Sequence, residues 1–152
     1  MPTAVHDRQR RVLVDRARMR RAADRALAAV GRAGGTVEVD VVDDAEVRRL
    51  NGLHRGIARR TDVLSFPLEV AGSPLVGQVV VCADAARRQA RRLGVPLSME
   101  LDLLVTHGVL HLVGWDDRDP VEADLMHRRE REILASAGSR RVPDRLWRGL
   151  LR

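Results

Sequence analysis

The sequence predicts a mixed α/β (α+β) architecture, a small mixed β-sheet of about three to four strands covered by helices. Three observations carry that expectation. Short β-type runs at 37–41, 61–66 and 78–82 are interleaved with longer segments whose apolar residues recur at helical spacing. Segment 97–113 is rich in Leu and Val on most faces, so its helix belongs inside the molecule. At 152 residues the chain is expected to form one domain over 1–152 and to bury roughly 68–70% of its unfolded surface.

In order, residues 12–32 place Val12, Met19, Ala22, Ala23, Ala26, Leu27 and Val30 at helical intervals among arginines, before Gly34-Gly35 ends a basic amphipathic helix. Val37, Val39 and Val41 alternate with Glu38 and Asp40, as in a half-buried strand. Asp43 or Asp44 then caps a helix reaching Leu53. Residues 61–66 read as a strand stopped by Pro67, and 78–82 as a buried strand. Helices follow at 83–93, ended by Gly94; at 97–113, capped by Gly114; and at 121–137, before a basic tail holding Trp147.

The one cysteine, Cys82, sits in an apolar run, which suits a buried thiol and a reducing compartment. No segment approaches the roughly 20 apolar residues that span a bilayer, so a cytoplasmic protein without a membrane partner is expected. All 27 basic residues are Arg. Residues 1–35 carry a net +6, residues 36–138 a net −4 and residues 139–152 a net +4. Basic ends suit phosphate contacts with a nucleic acid, and equally a solvated Arg-rich helix face.

The chemistry concentrates in residues 106–117. His107 and His111 stand at i and i+4, on one helix face and close enough for both imidazoles to reach one divalent ion at about 2.0–2.1 Å. Gly114 lets the chain turn back so that Asp117 meets the same ion, with Asp116 as its competitor. Two His and one carboxylate leave a position open, as a hydrolytic site requires, and the metal site falls at the end of the buried central helix. The spacing also matches metzincin proteases. Those enzymes carry Glu directly after the first His, where this chain has Gly108, so proteolysis is the weaker reading.

The run His107-Gly108-Val109-Leu110-His111-Leu112-Val113-Gly114-Trp115-Asp116-Asp117 resembles the YbeY family pattern H-G-x-L-H-L-x-G-Y-D-H. A second block, Leu50-Asn51-Gly52-Leu53-His54-Arg55 followed by Thr61-Asp62-Val63-Leu64-Ser65-Phe66-Pro67, resembles the family's L-N-x-x-Y-R and T-D-V-L-S-F-P. The resemblance implies a metal-dependent, single-strand-specific endoribonuclease of ribosomal RNA processing, with one Zn²⁺ or another divalent ion per chain. Its implied partners are ribosomal RNA, the small ribosomal subunit with its proteins, and an assembly GTPase.

By the same resemblance His107, His111 and Asp117 hold the metal, and His107, His111 and Arg55 are catalytic. Arg55 supplies the cation for the phosphate, and Arg55, Asp62 and Ser65 contact substrate. Asp62 and Ser65 equally suit side-chain to backbone hydrogen bonds that fix their loop.

Two departures stand out. Asp117 replaces the family's third His, and Val76-Gly77-Gln78-Val79 replaces L-G-D-I, removing a carboxylate. Asp brings negative charge that weakens the ion as a Lewis acid. His127, among Arg128 and Arg129, reads as exposed. The alternative to an active enzyme is a non-catalytic ribosome- or RNA-associated factor whose altered site binds metal weakly.

Overall fold

In the computed structural model, which describes residues 3–53, 62–68, 70–138 and 141–149, the element order is β1 (Ala4–Asp7), α1 (Arg16–Ala29), β2 (Thr36–Val42), α2 (Asp44–Leu53), β3 (Val63–Pro67), β4 (Leu75–Cys82), α3 (Ala83–Leu93), α4 (Leu97–Leu112), α5 (Pro120–Ala135) and a closing 3-10 helix (Asp144–Gly149). The α+β expectation holds. One four-stranded mixed sheet has the order β1-β2-β4-β3, with β1, β2 and β4 parallel and β3 antiparallel to β4.

Successive strand residues point to opposite faces, and that alternation sorts the sheet. Val37, Val39, Val41, Val63, Val79 and Val81 join the main core with α1, α4 and α5. Val42, Leu64, Val80 and Cys82 form a smaller cluster on the other face with Val47 and Leu50 of α2. Apolar on nearly every side, α4 is enclosed as its composition predicts: Leu103, Leu104, Val105, Val109 and Leu110 are all fully buried. Each contributes about 1.5–3 kcal/mol relative to an exposed position.

Two glycines let α4 lie close on the sheet: a Cβ at Gly77 of β4 would come within 2.6 Å of Leu112 Cδ2, and Gly108 of α4 is the second. A Cβ at Gly108 would come within 2.5 Å of Val79 Cγ1, so a larger side chain forces a shift at this contact.

Several boundaries differ from the sequence expectation. The first helix starts at Arg16 rather than near 12 because the Asp15 carboxylate caps it by accepting from the Arg18 N–H. It ends at Ala29, and Gly31 with φ 78° turns the chain before the Gly34-Gly35 pair. Asp43, not Asp44, accepts the capping hydrogen bond, from the Glu46 N–H at 2.9 Å. The last long helix is capped by Asp119, with Pro120 in its first turn. Strand β1 was not expected: four residues without clear alternation gain their conformation from pairing with β2. Trp147, placed in a basic tail, is fully buried. No helix among the described residues is long and apolar enough to cross a membrane.

Candidate metal centre

Residues four apart on a helix lie one above the other, and α4 puts His107 and His111 in that relation near its C-terminal end. The rings meet edge to face, with centroids 4.5 Å apart, and the two Nε2 atoms are separated by 3.0 Å. Gly114, with φ 102°, then reverses the chain, and the Trp115 N–H donates to the Leu110 carbonyl. This turn delivers Asp117, whose carboxylate oxygens lie 3.5 Å from His107 Nε2 and 3.6 Å from His111 Nε2.

Asp116 is engaged elsewhere. Its carboxylate accepts from the Asp117 N–H and pairs with Arg118 at 2.6 Å. The cluster of possible metal ligands among the described residues is therefore His107, His111 and Asp117.

Hydrogen bonds around the rings decide what the cluster offers. His107 Nδ1 lies 2.6 Å from Glu130 Oε2, and His111 Nδ1 lies 2.9 Å from the Trp115 carbonyl oxygen. A carboxylate and a carbonyl only accept, so each neutral ring places its proton on Nδ1 and keeps a lone pair on Nε2. Two lone pairs and a carboxylate thus converge on one point, an arrangement that a cation satisfies.

Burial, then the charge of His107, holds the His111 pKa below its ordinary 6.5, against the opposing pull of Asp117. The ring is therefore neutral, as a ligand must be. For a tetrahedral ion with ligands at about 2.0–2.1 Å, donor atoms lie about 3.3–3.4 Å apart. The separations of 3.0, 3.5 and 3.6 Å bracket that value, so the donors fit a divalent metal.

Glu130 of α5 escaped the sequence reading. It is fully buried, and its two oxygens take His107 Nδ1, His127 Nδ1 at 2.7 Å and the Trp147 Nε1–H at 3.2 Å. Burial alone pushes its pKa up. The hydrogen bonds from His107 and His127 outweigh that, and the carboxyl titrates below its ordinary range. A signal existed: Glu130 falls on the apolar stripe of Met126, Ile133 and Leu134, where an acid needs a partner.

The other predicted residues separate. His127 is buried rather than exposed, because its Nδ1 is drawn to Glu130 on the inner face of α5. Ser65 is also buried, and its hydroxyl donates to the Gly108 carbonyl at 2.9 Å, tying β3 to the helix of the histidines. Asp62 is buried, and its carbonyl accepts from the Cys82 N–H. Arg55 lies outside the described residues. Gln78 points to the sheet face away from α4 and donates to Asp40, so this departure does not touch the metal ligands.

The model of the family endoribonuclease YbeY matches residues 4–138. Similar proteins named endoribonuclease YbeY come from Anaeromyxobacter sp. (44% identical over 123 residues, covering 80% of this chain and 64% of that protein), from Halorhodospira halophila (42% over 117, covering 73% and 74%) and from Alkalilimnicola ehrlichii (44% over 128, covering 80% and 77%). The match with the Anaeromyxobacter protein therefore spans less than two thirds of that protein's length. The solution structure of TM1509 from Thermotoga maritima shares the fold, with a TM-score of 0.58 at 23% identity over 99% of this chain and 91% of that one. With the family model spanning most of its length, the chain belongs to the YbeY endoribonuclease family.

Proposed function

We propose that this protein is a metal-dependent endoribonuclease that cuts single-stranded RNA, acting as one domain in ribosomal RNA processing and in ribosome maturation or quality control. The observation that carries the reading is the convergence of two Nε2 lone pairs and the partly exposed Asp117 carboxylate. His107, His111 and Asp117 are the metal ligands of this reading, and zinc suits two imidazoles with one carboxylate. When bound, such an ion supplies Lewis-acid activation of water and of a phosphoryl oxygen.

The chain's own groups do the rest. His107 and His111 are fixed in orientation by their Nδ1 hydrogen bonds. Arg55 stabilises charge developing on the phosphate. Ser65 acts on the site by bracing Gly108, and Asp62 directly precedes the same strand. RNA is held by arginines at its phosphates. Arg21 and Arg25 of α1 line a cavity of about 460 Å³ and have no acidic partner among the described residues, whereas Arg18 beside them pairs with Asp102 at 2.7 Å. Ribosomal RNA in the cytoplasm, the small subunit with its proteins, and an assembly GTPase are the partners this reading assigns.

Purified protein incubated with ribosomal RNA is expected to cleave it, to stop on addition of chelator and to recover with zinc. Cleavage that persists in the His111→Ala variant would overturn the proposal.

A further inference from the structure

We infer that Glu130 is the positioning residue of the metal centre: its buried carboxylate holds His107 in the tautomer that presents Nε2 to the ion. The inference rests on the metal-binding reading above and adds to it a group that no metal would touch.

Glu130 lies on α5, separate from the helix and turn that supply the ligands, and its side chain is fully buried. An ionised carboxylate in such a place is costly unless hydrogen bonds surround it. Three donors do so from three elements: His107 of α4 at 2.6 Å on Oε2, and His127 of α5 at 2.7 Å with Trp147 of the 3-10 helix at 3.2 Å on Oε1. Only the first leads to the cluster. Among the described residues His107 has no other partner for Nδ1, so a carboxylate here fixes both the ring's orientation and the nitrogen that carries its proton.

The other two contacts position the carboxylate itself. His127 gives its Nδ1–H to Glu130 while its Nε2, also buried, has no hydrogen-bond partner among the described residues. A ring kept in the core for packing alone would be better replaced by an apolar side chain. Its hydrogen bond goes instead to the carboxylate that orients His107. Trp147 adds a second donor and brings the 3-10 helix against the same oxygen.

The experiment compares wild type, Glu130→Gln and His111→Ala. Zinc affinity is measured by competition with a chromophoric chelator, and imidazole tautomers by ¹⁵N NMR of the metal-free protein. Glu130→Gln keeps the shape and removes the charge, so zinc affinity is expected to fall about 10–100-fold while the metal-free protein still unfolds cooperatively. His107 in the metal-free wild type is expected to carry its proton on Nδ1. A proton on Nε2, or wild-type zinc affinity in Glu130→Gln, would overturn the inference. The tautomer is read in the wild type, so the test survives even if the variant does not fold. Wild-type protein that binds zinc no better than His111→Ala would instead overturn the metal reading itself.

Discussion

Cys82 and Asp117 show how far one side chain's surroundings decide its chemistry. Burial pushes the Cys82 thiol up to about 11, and the residue is inaccessible. A disulfide reagent is therefore expected to leave native protein unmodified and to titrate one thiol in denaturant; rapid reaction of the native thiol would contradict the packing. Asp117 makes the centre more negative than a third imidazole would. Asp117→His is expected to raise the rate of RNA cleavage at saturating zinc, and an unchanged or lower rate would show that the carboxylate is no handicap. The histidine pair was legible because i, i+4 spacing needs no tertiary knowledge. The choice between Asp116 and Asp117 depended on Arg118 claiming the former. For Glu130 the apolar stripe signals only that the acid needs a partner; that the partner is His107 was not legible, because it lies 23 residues away on another helix.

Among the elements, α4 was the most predictable, since a helix apolar on most faces has one place to go. What composition does not convey is the distance at which it packs, which Gly108 and Gly77 keep short. Read in the sequence as a missing catalytic Glu, Gly108 is in the fold a point of contact with Val79. Gly108→Ala gains helix propensity of about 1 kcal/mol but overpacks the contact by about 1–3 kcal/mol. Net destabilisation with weaker zinc binding is expected, from thermal melts and chelator competition; a variant both as stable and as tight as wild type would refute the close packing. Strand β1 was missed for the opposite reason: its four residues depend on β2, not on their own pattern. The helix starts at Arg16 and Pro120 were misplaced by one to four residues because the capping carboxylates, Asp15 and Asp119, resemble the other acids around them.

Across the molecule, charge and acidity act together. His111 titrates below its ordinary 6.5 and Glu130 below its ordinary 4.5 in the folded protein. In both cases the unfolded chain takes up its proton first as pH falls, so both contributions are present above those ordinary values and are lost on acidification. The melting temperature of the metal-free protein is expected to fall from pH 7 to pH 4, and a rise would reverse the assigned signs. Of the basic N-terminal segment, Arg21 and Arg25 of α1 line a cavity. Replacing both with Glu is expected to weaken single-stranded RNA binding and to flatten its dependence on salt, by about 0.7 in log–log slope for each phosphate no longer neutralised. The double variant should leave zinc affinity unchanged.

The two histidines are anchored by different kinds of atom, and this gives them different exposure to mutation. His111 is oriented by the main-chain oxygen of Trp115, an atom that every amino acid at that position would supply. His107 depends on the side chain of Glu130, which a single base change can remove. Drift in this lineage can therefore reach the first ligand indirectly, through a helix that carries no ligand, while the anchor of the second survives whatever residue replaces Trp115.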